Sequence, residues 1–229
     1  MLVSIVTPAR RGEEWLHRLL QQLPPRPDAE VIVSFGGALD DEALRLRQSR
    51  RDVVWVESVE GRGAQLNAGA ARARGTWIWF VHADSRVPDG WLDVFRELDQ
   101  APDVVGGSFA FHLDSDAWQA RLLERGVTLR VRLFGLPYGD QGIFVRRVVF
   151  HQMGGYAAIP LMEDVEFVGR LKRHGAVRHL RVKLATSARR WEREGWWTRS
   201  ALNLVFLTLY ELGASPAWLA KRYHRGDRT

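Results

Sequence analysis

The chain has 229 residues, 46% hydrophobic and 26% charged, which suits one α/β domain with a sizeable core and excludes a disordered chain. It has no cysteine, so disulfides, thiolate metal sites and thiol catalysis are excluded. Its 33 basic and 27 acidic residues leave a net charge of +6, nearly all of the positive charge being arginine, a balance that suits phosphate-rich ligands, anionic lipid heads or nucleic acid without choosing among them.

The first stretch, MLVSIVTPAR, lacks the basic opening and long apolar run of a signal peptide. Residues 2–7 read as a strand ended by Pro8, and a cytoplasmic protein is expected. Leu16, Leu19, Leu20 and Leu23 recur at helical spacing within 13–23, and Pro24, Pro25 and Pro27 stop that helix. A second apolar strand, 30–35, ends at Gly36-Gly37. Asp40 is placed to cap a helix running to about Gln48. A third strand covers 53–57, a Gly-rich turn at 61–63 leads into a small-residue helix over 64–74, and 76–81 is a fourth, strongly apolar strand. Strands apolar on both faces and separated by helices predict a mostly parallel, Rossmann-like central sheet flanked by helices. In such sheets ligands gather at the carboxyl ends of the strands, where Pro8, Phe35 and the segment 82–84 converge. Beyond them come a strand at 104–113, a helix at 116–131, a turn at 138–142 before a strand at 143–146, and a helix opening at 160–163 and running to His174. An apolar helix at 196–212 and a short basic one, Pro216–Tyr223, close the chain. With no repeat, low-complexity tract or linker, one domain over 1–229 is expected.

Four places could carry chemistry. Asp84 follows the buried run Trp77-Ile78-Trp79-Phe80-Val81 in the order His82-Ala83-Asp84, where a carboxylate can hold a divalent cation and help a diphosphate leave; a turn or cap aspartate is the alternative. Glu163-Asp164 opens a helix, where anions are favoured in any case, yet an aspartate there could take a proton from a hydroxyl. The segment Gly61-Arg62-Gly63-Ala64-Gln65-Leu66-Asn67-Ala68-Gly69 offers backbone N–H groups to an anion. It is neither a P-loop nor a dinucleotide fingerprint, and its small residues could serve only close packing. Ser187-Ala188-Arg189-Arg190-Trp191-Glu192-Arg193 could clamp a diphosphate or be a solvated basic loop.

With these segments in hand, the chain resembles the family-2, GT-A-type glycosyltransferases, most closely the small bacterial selenodomain-associated "transferase 2" branch. The resemblance runs nearly end to end, through Val3-Ser4-Ile5-Val6-Thr7-Pro8, the 61–70 and 80–84 segments, Gly139-Asp140-Gln141-Gly142-Ile143-Phe144-Val145-Arg146-Arg147, Leu161-Met162-Glu163-Asp164-Val165-Glu166 and 186–195. It implies a GT-A fold with a nucleotide-sugar-binding half (1–113), an acceptor and catalytic half (114–195) and carboxyl-terminal helices (196–229). It implies that Asp84 binds Mg²⁺ or Mn²⁺ with the donor diphosphate. Asp164, beside Glu163, would be the general base of an inverting displacement. Thr7, Pro8 and Ala9 would flank the nucleobase, and Arg62, Gln65 and Asn67 the nucleotide side. Asp140 and Gln141 would lie near the donor sugar or acceptor. Arg190-Trp191 would match the family's basic-Trp motif.

Two positions depart from the pattern. Phe35 stands where relatives carry a base-recognising aspartate; a lost buried hydrogen bond costs about 1–3 kcal/mol, so uridine preference is in doubt and Phe35 is expected to stack on a base instead. His82 replaces the first acid of the metal motif. A neutral imidazole there could bond a ribose hydroxyl alongside Ala83, and it favours Mn²⁺ over Mg²⁺. The expected partners are a nucleotide-sugar donor and a small-molecule or lipid acceptor. Nucleic acid is not expected, because no recognised motif accompanies the arginines. Two other readings stand beside this one: a nucleotidyltransferase releasing pyrophosphate, and a degenerate nucleotide-sugar-binding protein. The 196–212 helix is too short and too polar for a membrane span. Led by Trp196-Trp197 and flanked by arginines, it could lie at the inner membrane face, although packing on the core or in a homodimer is the preferred reading.

Overall fold

The computed structural model describes residues 1–223; residues 224–229, the end of the segment read as carboxyl-terminal helices, lie outside the described residues. The chain runs β1 (Val3–Arg10), α1 (Leu16–Gln22), β2 (Ala29–Gly36), α2 (Asp41–Ser49), β3 (Val54–Ser58), α3 (Arg62–Ala70), β4 (Trp77–Phe80), β5 (Ser85–Arg86), α4 (Trp91–Asp99) and β6 (Val104–Asp114). It continues through α5 (Trp118–Phe134), a 3-10 turn (Gly139–Gln141), β7 (Phe144–Arg146), α6 (Arg147–Gln152), α7 (Glu163–Leu171), β8 (Ala176–Ser187), α8 (Arg189–Glu194), α9 (Trp196–Glu211) and α10 (Pro216–Tyr223).

The strands form one sheet in the order β3-β2-β1-β4-β7-β6-β8-β5. Strands β1 to β4 are parallel, β7 is antiparallel to both neighbours, β8 runs parallel to β6, and β5 is antiparallel to β8. The sheet is thus mostly parallel, with helices on both faces. Period-two alternation sorts the side chains. Ile5, Val31, Val33, Trp77 and Trp79 pack on one face with α1 and α4. Val6, Ile32, Ile78 and Phe80 pack on the other with α3, α6 and α7. The first core stacks Trp79 on Phe109, ring centroids 4.8 Å apart.

Strand β1 does not stop at Pro8 but continues to Arg10, pairing Pro8 with Ser34. The missing N–H breaks no ladder, because β4 pairs with β1 only as far as Val6 and Phe80. β1 and β2 therefore project past β4 at their carboxyl ends and make a ledge. Asp40 caps α2 as its position predicts, accepting the Ala43 N–H at 2.9 Å. Helices α4 and α6 and the long strand β8 were not anticipated. The segment read as a basic loop is instead the end of β8 followed by α8.

Candidate functional site

Three parts of the fold meet beyond the end of β4. The chain leaves β4 through His82-Ala83-Asp84 and enters β5, which pairs Ser85 with Thr186 and Arg86 with Ala185 of β8. That pairing draws the end of β8 alongside Asp84. The result is a cleft of about 250 Å³ whose lining includes Trp15, Asp84, Arg86, Asp114, Ser187 and Arg189. The Arg189 guanidinium lies 5.5 Å from the Trp15 ring centre. The Asp84 carboxylate makes no hydrogen bond or ion pair with another described residue, so it is free for an outside ligand.

The second part is the start of α7. Met162, its N-cap, is the one non-glycine residue with positive φ (65°) among the described residues. A left-handed conformation costs a non-glycine residue about 1–2 kcal/mol; such strain gathers at functional sites. It is held here by burial of the Met162 side chain against Phe206 and Leu207 of α9. Directly after it, Glu163 and Asp164 are both buried, and both pair with Arg62 from the start of α3, Asp164 at 3.3 Å. Asp164 Oδ2 also accepts the Gly139 N–H at 2.7 Å, and Oδ1 the Val165 N–H at 2.9 Å.

The third part is the 3-10 turn. A Cβ on Gly139 would stand 3.3 Å from both Asp164 Oδ2 and His82 Nε2, so the backbone here threads between carboxylate and imidazole. Gly142 ends the turn at φ 57° with Leu184 and Trp79 against it, leaving no room for a side chain. Asp140 projects from the same turn, and its Oδ1 is buried without a hydrogen-bond partner. Burial pushes the Asp140 carboxyl up to about 6, against the pull of Arg130 and with a further push from Asp164. Burial likewise pushes the Tyr138 phenol up to about 12, with the Arg130 guanidinium 3.7 Å from its ring centre. Burial, aided by Arg62, lowers His82 to about 4, so its imidazole is neutral at physiological pH.

Several residues expected to touch ligand lie elsewhere. The Phe35 ring is 1% exposed in the first core, on the same strand face as Val31 and Val33, so the expected stacking on a base is corrected. The Ala9 and Ala83 methyls are in that core too, leaving only their backbone at the ledge. Gln65 is buried, and its amide nitrogen donates to the carbonyls of Ala9 (2.5 Å) and Ser34 (3.2 Å). Asn67 makes a two-way pair with the Tyr156 backbone, at 2.9 and 2.8 Å. Gln141 turns inward, bonding the Tyr138 N–H at 3.1 Å and the Phe109 carbonyl at 3.3 Å. These three amides join parts of the scaffold. Glu163, 2% exposed and bound to Arg62, holds that arginine and is closed to substrate. Trp191 packs on Phe111 and donates to Ser200 Oγ at 3.2 Å, and Arg190 faces Glu194 and Tyr223. It is their neighbour Arg189 that lines the cleft with Asp84. Thr7 is fully buried at the ledge with its hydroxyl unpartnered, and Pro8 is half-buried beside it.

Trp15, Arg86, Asp114, Arg130 and Tyr138 were not singled out from the sequence. Only Arg86, two residues past Asp84 on one short strand, carried a local signal.

Among the described residues, no group of three or more His, Asp or Glu side chains could hold a metal ion alone. A divalent ion can instead be bound through one or two carboxylates plus substrate phosphates. The unpaired Asp84, in a cleft flanked by Arg86 and Arg189, fits that mode.

Residues 4–160 match the family model described as Glycosyl transferase family 2. No curated protein is significantly similar in sequence. Among solved structures, S. aureus TarS 1-349 in complex with UDP superposes with a TM-score of 0.63 at 16% identity, over 82% of this chain and 60% of that one. A mannosyltransferase from Pyrobaculum calidifontis in complex with GDP-Man and Mn²⁺ superposes with a TM-score of 0.65 at 18% identity, over 94% of this chain and 66% of that one. The chain thus spans about 60% of the TarS fragment's length.

Proposed function

The chain belongs to glycosyl transferase family 2 and has the GT-A fold, and from that premise we propose that it transfers a sugar from a nucleotide-diphosphate donor to an acceptor hydroxyl, inverting the anomeric centre. The observation that carries the reading is the convergence of Asp164, Arg62, Gly139 and His82 beside the unpaired Asp84. On motif order alone we assign the chain to the selenodomain-associated "transferase 2" branch, with residues 1–113 holding the donor.

In this reading the acceptor oxygen attacks the anomeric carbon while the bond from that carbon to the diphosphate oxygen breaks. The hydroxyl proton passes to the Asp164 carboxylate, whose lone pairs are aimed by the Gly139 and Val165 N–H groups and by Arg62. Arg86 and Arg189 counter charge on the departing nucleoside diphosphate. Asp140 reaches the donor sugar or the acceptor, and neutral His82 offers a hydrogen bond to the donor. Pro8 forms the floor under the base, with Thr7 buried beneath it. A Mn²⁺ or Mg²⁺ ion held by Asp84 and the donor phosphates would neutralise the leaving group, the imidazole nearby favouring Mn²⁺. The TarS fragment and the mannosyltransferase, solved with UDP and with GDP-Man and Mn²⁺, support the donor class.

The test is product analysis over a panel of nucleotide sugars with Mn²⁺. The expected product is a nucleoside diphosphate, and Asp164→Asn should slow its release by about 10²–10⁴-fold. Release of pyrophosphate would instead indicate a nucleotidyltransferase. A folded Asp164→Asn protein with near-normal turnover would remove the base assignment.

A further inference from the structure

The outer face of α5 carries apolar side chains in water. Trp118, Leu122, Leu129 and Leu133 follow one another at helical spacing on a single stripe, with Trp118 64% and Leu133 66% exposed. Beside it, α9 exposes Trp197, Leu204 and Val205, and Leu212 just after its end is exposed as well. The two stripes join: the Trp118 and Trp197 rings lie 6.0 Å apart, and Leu123, Val127 and Trp196 share a small core beneath them. A contiguous apolar area of this kind marks an interaction surface.

On α5 the exposed charge beside the stripe is positive, and α9 adds a single exposed carboxylate, Glu211, at its far end. Arg125 and Arg132 stand exposed on α5 either side of Leu129, and neither makes an ion pair with a described residue. The only carboxylate of α5, Glu124, is buried and held by His112 (2.9 Å) and Arg121 (3.0 Å). A cavity of about 550 Å³ opens next to the stripe, lined by Arg121, Arg125, Thr128, Leu129 and Arg132, by Glu124 in its pair with Arg121 and, from β8, by Lys183, so basic groups outnumber the one carboxylate.

A two-fold dimer on this face would set arginines against arginines with no carboxylate between them on α5. An anionic bilayer supplies what the face lacks, namely apolar depth for tryptophan and leucine and negative headgroups for the arginines. We propose that α5 and α9 dock on an anionic lipid surface, with a phosphate-bearing headgroup in the basic cavity. No described helix is long and apolar enough to cross a membrane, and the proposed contact is with the bilayer surface. The sequence pointed only to residues 196–212; the α5 stripe and the cavity extend that surface. The buried side of α9 packs Phe206 and Leu207 on Met162, directly before Glu163 and Asp164, which ties the docked helix to the site.

Co-sedimentation with phosphatidylcholine vesicles, with and without phosphatidylglycerol, tests this without any donor present. The protein should bind only the anionic vesicles, and less as salt rises. Each arginine at such a surface contributes about fivefold, so Arg125→Glu with Arg132→Glu should weaken binding by about thirtyfold or more. Trp118→Ser with Trp197→Ser should weaken it independently. Both pairs lie on the surface, so donor hydrolysis of both variants in vesicle-free buffer, and thermal melts of the arginine variant, should match wild type, which separates this proposal from the transferase reading. Equal binding to both vesicle types, no binding, or undiminished binding of both variants would overturn it. So would a wild-type dimer that the arginine variant dissolves, which would make the face a contact between copies.

Discussion

Replacing Asp140 by asparagine should stabilise the protein at neutral pH and leave its stability unchanged in acid. Burial lifts the Asp140 carboxyl from its ordinary 3.8 to about 6. Below the lower value the group is protonated in both folded and unfolded chains and contributes nothing. Above the higher value it is ionised in both, and the folded state bears the whole difference. A gap of about two pH units, at about 1.36 kcal/mol each, corresponds to roughly 3 kcal/mol of destabilisation, building up as pH rises through the interval. Asparagine has nearly the shape of the protonated acid and cannot ionise. Because Oδ1 is already buried without a partner, no hydrogen bond to it is lost. For a chain of this size about 1 kcal/mol moves the melting temperature by roughly 2–4 °C. The variant should therefore melt about 6–12 °C higher at about pH 7.5 and together with wild type at or below about pH 4. Thermal melts across that range, without donor or divalent ion, check this. A difference independent of pH, or a variant less stable at neutral pH, would refute the link between burial and charge. Turnover should fall in the same variant, since under the proposed function the buried charge serves the reaction at the expense of the fold.

Two further substitutions probe the same cluster. Arg62→Met removes the partner of a carboxylate that is 2% exposed. Breaking a buried pair costs about 3–5 kcal/mol, but the Arg62 side chain keeps 38% exposure, so a loss of roughly 2–3 kcal/mol is expected in denaturant titration. Adding Glu163→Gln to Arg62→Met should recover part of it, and a double variant no more stable than Arg62→Met would show that Glu163 does not need the charge. Gly139→Ala places a methyl 3.3 Å from both Asp164 and His82. Those side chains must give by a few tenths of an ångström, so turnover should drop by about tenfold or more with little change in melting temperature, and unchanged kinetics would mean the turn is slack.

The parallel half of the sheet was legible because its signals are local. Apolar runs, the proline stop after Leu23 and the Asp40 cap each act within a few residues. Strand β8 was hidden because Ala176–Ser187 interleaves Arg178, Arg181 and Lys183 with its apolar residues, and its outer half is exposed; that pattern reads equally as a polar connection. At the site, the positions Asp84, Asp140 and Asp164 could be picked out, but their surroundings could not. Whether Phe35 meets a ligand or the core depends on which face of β2 it takes, and this is fixed by register with β1. Whether Arg189 or Arg190 faces the cleft depends on the two-residue pairing of β5 with β8, which no local pattern announces.

The Gly-rich helix α3 shows why motif residues mislead when read as contacts. Arg62, Gln65 and Asn67 were expected along the nucleotide, yet each ties α3 to a different part of the fold. Arg62 reaches the acids of α7, Gln65 the ends of β1 and β2, and Asn67 the backbone of Tyr156. Three polar side chains on a helix of only nine residues reach different parts of the fold because Gly63, Gly69 and Ala70 let α3 settle closely on its neighbours. Gln65 is buried with its nitrogen bonded twice, and Asn67 is bonded at both ends; removing such bonds leaves backbone groups unsatisfied, which is costly. What the segment encodes is the junction between the β1–β2 ledge and the acid pair. Changing Gln65 or Asn67 should therefore disturb the spacing of Asp84 and Asp164 before it disturbs any recognition of the base.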